Sequence, residues 1–107
     1  MADAERALVR MEGRQRLTVQ GQLDFSTVPP LVIEAVELLG RMEAAQFTLD
    51  LSAIEYCNSA GIAMLLELNR VGLLQDKTMR IQGMSEHMKI IASAHGVEAP
   101  LMAMLSH

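Results

Sequence analysis

The chain has 107 residues and a mass of 11.8 kDa, the usual scale of one hydrophobic core; half of its residues are apolar and 21% are charged. That balance excludes a disordered chain, and a lone cysteine, Cys57, excludes a disulfide-stapled scaffold. A net charge of −4, with only Lys77 and Lys89 as lysines and only Phe25, Phe47 and Tyr56 as aromatics, offers no concentrated positive field or base-stacking platform for nucleic acid, and no attraction to an anionic membrane surface.

The uncharged run at residues 56–66 falls short of the roughly 18–20 residues needed to cross a bilayer. The start, Met1-Ala2-Asp3-Ala4-Glu5-Arg6, lacks the long apolar run of a secretory signal, so the expectation is a single cytoplasmic domain, residues 1–107, with no direct membrane insertion. Nine methionines suit irregular core gaps and equally suit adaptable contact surfaces.

In chain order, residues 7–11 and 16–20 read as two strands around a turn at Glu12-Gly13-Arg14. In the second, Leu17, Val19 and Gly21 face one way and Arg16, Thr18 and Gln20 the other, the period of a half-buried strand. Residues 24–28 form a loop. Pro29-Pro30 then opens a helix whose apolar residues, Leu31, Ile33, Ala35, Val36, Leu38 and Leu39, run to a stop at Gly40.

Residues 47–51 form a third strand, and 62–75 the strongest helix of the sequence. A fourth strand at 78–82 ends at Gly83. Ser85 caps a further helix from Glu86 to about Ala94, stopped by His95-Gly96, and the residues after Pro100 form a short helical or irregular tail. The order ββαβαβα plus tail describes an α/β (α+β) sandwich, with helices packed on a mixed sheet and a parallel strand pair across 47–82.

Residues 55–62, Glu55-Tyr56-Cys57-Asn58-Ser59-Ala60-Gly61-Ile62, join the third strand to the main helix. Asn58 is a good N-cap, and Ser59 either caps instead or sits in the first turn. Gly61 allows close approach of another backbone or a partner. A helix start at the carboxyl end of a strand exposes N–H groups and partial positive charge, where open α/β sheets place ligands. Along the helix, Ile62, Leu65, Leu66 and Leu73 make a stripe for the sheet. Met64, Leu68 and Val71 widen the apolar arc beyond what a sheet requires, so either another helix or a partner must cover it.

Val19-Gln20-Gly21-Gln22-Leu23-Asp24, together with Leu49-Asp50-Leu51-Ser52 leading into Asn58-Ser59-Ala60-Gly61-Ile62, resembles the STAS domain shared by sulfate transporters and anti-sigma factor antagonists. The likeness covers essentially the whole chain. Thr27-Val28-Pro29-Pro30-Leu31, the run Ala63-Met64-Leu65-Leu66-Glu67-Leu68 and the ending Ile90-Ile91-Ala92-Ser93-Ala94-His95-Gly96-Val97-Glu98 are most similar to the MlaB-like branch. That branch comprises the small STAS subunits of bacterial ABC systems that maintain outer-membrane lipid asymmetry.

The resemblance implies a non-catalytic protein without cofactor. It would bind a cytoplasmic ABC transporter ATPase (MlaF-like) and, through it, be peripheral to the membrane permease. The implied partner-binding residues are Asp24, Asn58, Ser59, Ala60, Gly61, Met64 and Leu68. Ser59 matches the hydroxyl that accepts phosphate in anti-sigma antagonists, which supplies the alternative: a regulator switched by phosphorylation at Ser59. The residue before that hydroxyl is usually Asp in the phosphorylated members, and here the amide Asn58 lacks that charge.

An enzymatic reading has little to rest on. The flanks Cys57-Asn58-Ser59-Ala60-Gly61 lack the first glycine of a G-x-S-x-G elbow, and a triad of Ser59 with Asp24 and His87 or His95 would need a coincidence of folding. No Walker loop is present, so any ATP chemistry belongs to a partner. His87, His95 and His107 are not at metal-ligand spacing with cysteines or carboxylates. Cys57 is expected to pack rather than react.

Overall fold

The computed structural model describes residues 6–105. Four strands, β1 (Ala7–Glu12), β2 (Arg16–Leu23), β3 (Gln46–Cys57) and β4 (Thr78–Gln82), form one sheet in the order β1-β2-β3-β4. β1 and β2 make the antiparallel hairpin expected from their alternation, with Val9 opposite Val19 and Met11 opposite Leu17. β2–β3 and β3–β4 are parallel, because α1 (Val28–Arg41) and α2 (Ser59–Leu74) return the chain between them. The two helices pack on each other and bury the same side of the sheet: Leu17, Val19, Leu23, Phe47, Leu49, Leu51, Met79 and Ile81 all point into that layer. On the opposite side Arg16 bridges to Asp50 at 3.0 Å and to Gln82 at 3.2 Å, so the uncovered face is held by polar cross-strand contacts.

Several boundaries differ from the sequence expectations, beginning with β2, which runs to Leu23 rather than ending near residue 20. β3 does not stop at Leu51 but continues to Cys57. Its register against β2 slips between Thr18 and Gln20 and again between Gly21 and Gln22, so β3 carries extra residues and its inside–outside alternation breaks at Ser52 and Ala53. Gly21 adopts φ +98 at this irregular stretch, where a Cβ would lie 2.0 Å from the Arg6 carbonyl oxygen. Gly40 is not the stop of α1. The helix runs through it to Arg41 and ends where buried Met42 turns extended, at φ −78 and ψ 133. The main helix begins at Ser59 rather than Ile62, because Asn58 is its cap.

α3 (Glu86–Ala94) starts as expected, with the Ser85 hydroxyl accepting the Met88 N–H at 3.1 Å, and Gly96 follows its end at φ +72. The tail folds on the domain. α4 (Glu98–Met102) buries Leu101 completely, the Ile81 N–H donates to the Met104 carbonyl at 2.8 Å, and Leu105 pairs beside Ile81 along the outer edge of β4. The order is therefore ββαβαβαα.

Candidate functional site

The carboxyl ends of β2 and β3 and the start of α2 meet at one end of the sheet. Leu23 lies opposite Cys57, and beyond that pair the Asn58 N–H donates to the Leu23 carbonyl at 3.0 Å. This bond holds the loop after β2 against the loop before α2. Asn58 is in extended conformation and its Oδ1 accepts the Ala60 N–H at 2.8 Å, while the Asn58 carbonyl accepts the Gly61 N–H at 3.0 Å. A side-chain cap of this kind is worth ~1 kcal/mol and needs an oxygen, not a charge.

Asp24 shapes the adjoining loop. Its Oδ1 accepts the Ser26 N–H at 2.9 Å, the Ser26 hydroxyl at 2.8 Å and the Thr27 N–H at 3.0 Å, and its Oδ2 pairs with Arg6. Arg6 also reaches Gln22 Oε1 at 3.2 Å and Ser26 Oγ at 3.3 Å. The Thr27 hydroxyl accepts the Asp24 N–H at 2.9 Å and donates to the Gln22 carbonyl at 2.7 Å. The Ser26 hydroxyl and the Thr27 N–H, with a smaller part from Arg6, hold the Asp24 carboxyl down to about 2. It is an anionic brace with both oxygens engaged, poorly placed to serve as a proton donor or acceptor in chemistry.

Ser59 is half-buried at the first position of α2, and among the described residues its hydroxyl has no hydrogen-bond partner. Among the described residues no buried side-chain polar atom lacks a partner, so this hydroxyl reaches solvent and is open to a contact from outside the domain. Around it, two of the chain's three aromatics are exposed: Phe25, 72% exposed in the Asp24 loop, and Tyr56, half exposed opposite Gln22. Composition alone gave no reason to place either at the site. An aromatic directly after the loop aspartate, outside any apolar periodicity, was the available signal for Phe25.

Other expected contacts lie inside the domain. Met64 and Leu68, at 1% and 0% exposure, belong to the core, so the wide apolar arc of α2 is covered internally by α1 and α3. Neither offers area to a partner in this conformation. Leu73, assigned to the sheet stripe, is instead 59% exposed. Ala60 is buried. Gly61 serves an internal approach, since a Cβ there would sit 2.3 Å from Cys57 Sγ and 3.0 Å from Leu23 Cβ. Of the seven expected contact residues, Asp24, Asn58 and Ser59 lie around the junction with some accessible surface, while the other four are buried.

Cys57 packs beneath this junction. Burial pushes its thiol up to about 11, and Sγ donates to the Asn58 carbonyl at 3.2 Å. His87 and His95 are exposed, and His107 lies outside the described residues. Among the described residues no group of three His, Cys, Asp or Glu side chains gathers to hold a metal, and no helix is long and apolar enough to cross a membrane. A groove of about 960 Å³, open to solvent, is at the far end of the sheet. Arg14, Arg16 and Arg41 alternate there with Glu12 and Glu43, away from Ser59.

A family model described as "Mlab, STAS domain" matches residues 7–105. No curated protein matches the chain in sequence. Solved structures do match in shape. The anti-sigma factor antagonist SpoIIAA in its unphosphorylated form superimposes with a TM-score of 0.70 at 12% identity, over 94% of this chain and 85% of that one. A sulfate transporter family protein from Wolinella succinogenes gives 0.67 at 12% identity, over 85% and 74%. An anti-sigma factor antagonist from Mycobacterium paratuberculosis gives 0.64 at 18% identity, over 88% and 80%. At such identities the shared property is the fold.

Proposed function

This chain belongs to the STAS domain family, and from that premise we propose that it is a non-catalytic subunit that binds and supports the ATPase of an MlaB-type ABC phospholipid transporter. The observation that carries the reading is the rigid junction at the start of α2. There Ser59, whose hydroxyl has no internal partner among the described residues, follows the Asn58 cap that is bonded to the end of β2, and the segments on either side carry the exposed Phe25 and Tyr56. Such a surface is preorganised for a protein partner, because little conformational freedom remains to be lost on docking. The description of the matching family model supports the transporter branch.

A second reading, an anti-sigma factor antagonist, draws on the same hydroxyl. Phosphate on Ser59 would add nearly two negative charges at a helix N-terminus and change affinity for a kinase partner. Asn58 fits the first reading at least as well, since it caps α2 through its amide oxygen without the charge usual in phosphorylated members.

The test is a mild-detergent pulldown of the tagged protein from its native host, with partners identified by mass spectrometry. An ABC ATPase and its permease in the eluate, lost with Ser59→Arg, support the transporter reading. A soluble histidine-kinase-like partner, with an intact mass showing a phosphorylated form, would overturn it.

A further inference from the structure

Exposed apolar side chains are ordinary on a protein surface, so the setting of each matters more than its area. Ile33 and Leu74 are as exposed as Phe25, but both are helical residues, and Leu74 ends α2 far from Ser59. Phe25 is different in two respects. Its loop is fixed from both sides, by the Asp24 carboxylate bonded to Ser26 and Thr27, and by Arg6 bonded to Gln22, Asp24 and Ser26. None of those bonds depends on the ring, which contributes little to the core it stands on. It also sits close to the α2 start in the chain path: Phe25 follows Leu23 by two residues, the exposed Tyr56 precedes Asn58 by two, and the Leu23 carbonyl accepts the Asn58 N–H.

We propose that Phe25 is the aromatic anchor of this surface, entering an apolar pocket of the ATPase partner beside the Ser59 contact. This rests on the ATPase reading above and deepens it. Rigid aromatic side chains surrounded by satisfied polar groups supply a disproportionate share of binding energy at protein interfaces. The charges at this end also define the pocket's rim. Asp24 is paired with Arg6, while Glu55, next to Tyr56, makes no ion pair among the described residues. The complementary rim is therefore basic.

The experiment compares wild type, Phe25→Ala, Phe25→Leu, Glu55→Lys and Leu74→Ala in the same native-host pulldown, with the ATPase quantified against the bait. Thermal unfolding of each purified protein is measured alongside. Phe25→Ala should keep the wild-type melting temperature and lower ATPase recovery at least about tenfold. Phe25→Leu should restore part of it, and Leu74→Ala should match wild type. Glu55→Lys should lower recovery if the rim is basic, and unchanged recovery overturns that assignment. Wild-type recovery with a folded Phe25→Ala overturns the anchor while leaving the ATPase reading intact. Should Phe25→Ala melt early, the decision passes to Phe25→Leu against Leu74→Ala, and equal recovery by that pair overturns the anchor. A wild-type eluate without any ABC ATPase overturns both.

Discussion

The Asn58 N–H donates to the Leu23 carbonyl at 3.0 Å, so the residue that caps α2 is tied to the residue that ends β2. One backbone bond thereby couples the two segments that build the candidate site. The Asp24 loop and the α2 start form a single rigid surface, and perturbing their junction should disturb both.

Gly61→Ala tests that junction. The added methyl would meet Cys57 Sγ at 2.3 Å and Leu23 Cβ at 3.0 Å, distances that force the end of β2 or the start of α2 to move. Overpacking of this kind costs about 1–3 kcal/mol. Urea unfolding should show that loss, and adding Cys57→Ala should recover only part of it, because the Leu23 contact remains.

Leu68 separates core from interface. At full burial, Leu68→Ala should cost about 2–5 kcal/mol in urea unfolding, whereas Leu74→Ala, at 72% exposure, should change stability by no more than about 0.5 kcal/mol. Equal, small effects would mean that α2 turns a different face to the core.

The Asp24 carboxyl predicts a pH dependence. Its folded value is about 2, against an ordinary 3.8, so it contributes stability that is fully present above the unfolded value and lost as pH falls toward 2. Asp24→Asn should be less stable than wild type at neutral pH and show a shallower loss of stability below about pH 4. Some acid dependence should persist. Glu12 is lowered chiefly by the Thr18 hydroxyl, and Asp50 is lowered although burial opposes it, through Ser52 and Arg16. Thermal unfolding of both proteins across pH 2–7 measures the difference.

Cys57 should resist thiol reagents in the native protein. With its thiol at about 11 and the residue buried, labelling by a disulfide reagent at pH 8 should be slow and accelerate sharply in denaturant. Fast native labelling would show that the α2 junction opens readily.

Most of the element order was legible because it depends on local chemistry. Alternation at residues 16–20 specifies a half-buried strand whatever surrounds it, Ser85 caps α3 through its own hydroxyl, and Gly96 follows α3 at positive φ. The end of β3 was not legible, because its extra residues break the alternation and only pairing with β2 holds 52–57 extended. The site divided in the same way. Asn58 as a helix cap and the loop beginning at Asp24 follow from residue type and position, and the sequence by itself determined them. Tertiary structure decided which side chains remain for a partner. The sides of α2 away from the sheet are apolar in sequence whether another helix or a second protein covers them. Packing by α1 and α3 buries Met64 and Leu68, while Phe25, Tyr56 and Ser59 keep accessible surface. Burial is a property of what lies opposite in space, and hydrophobic periodicity records only that something must.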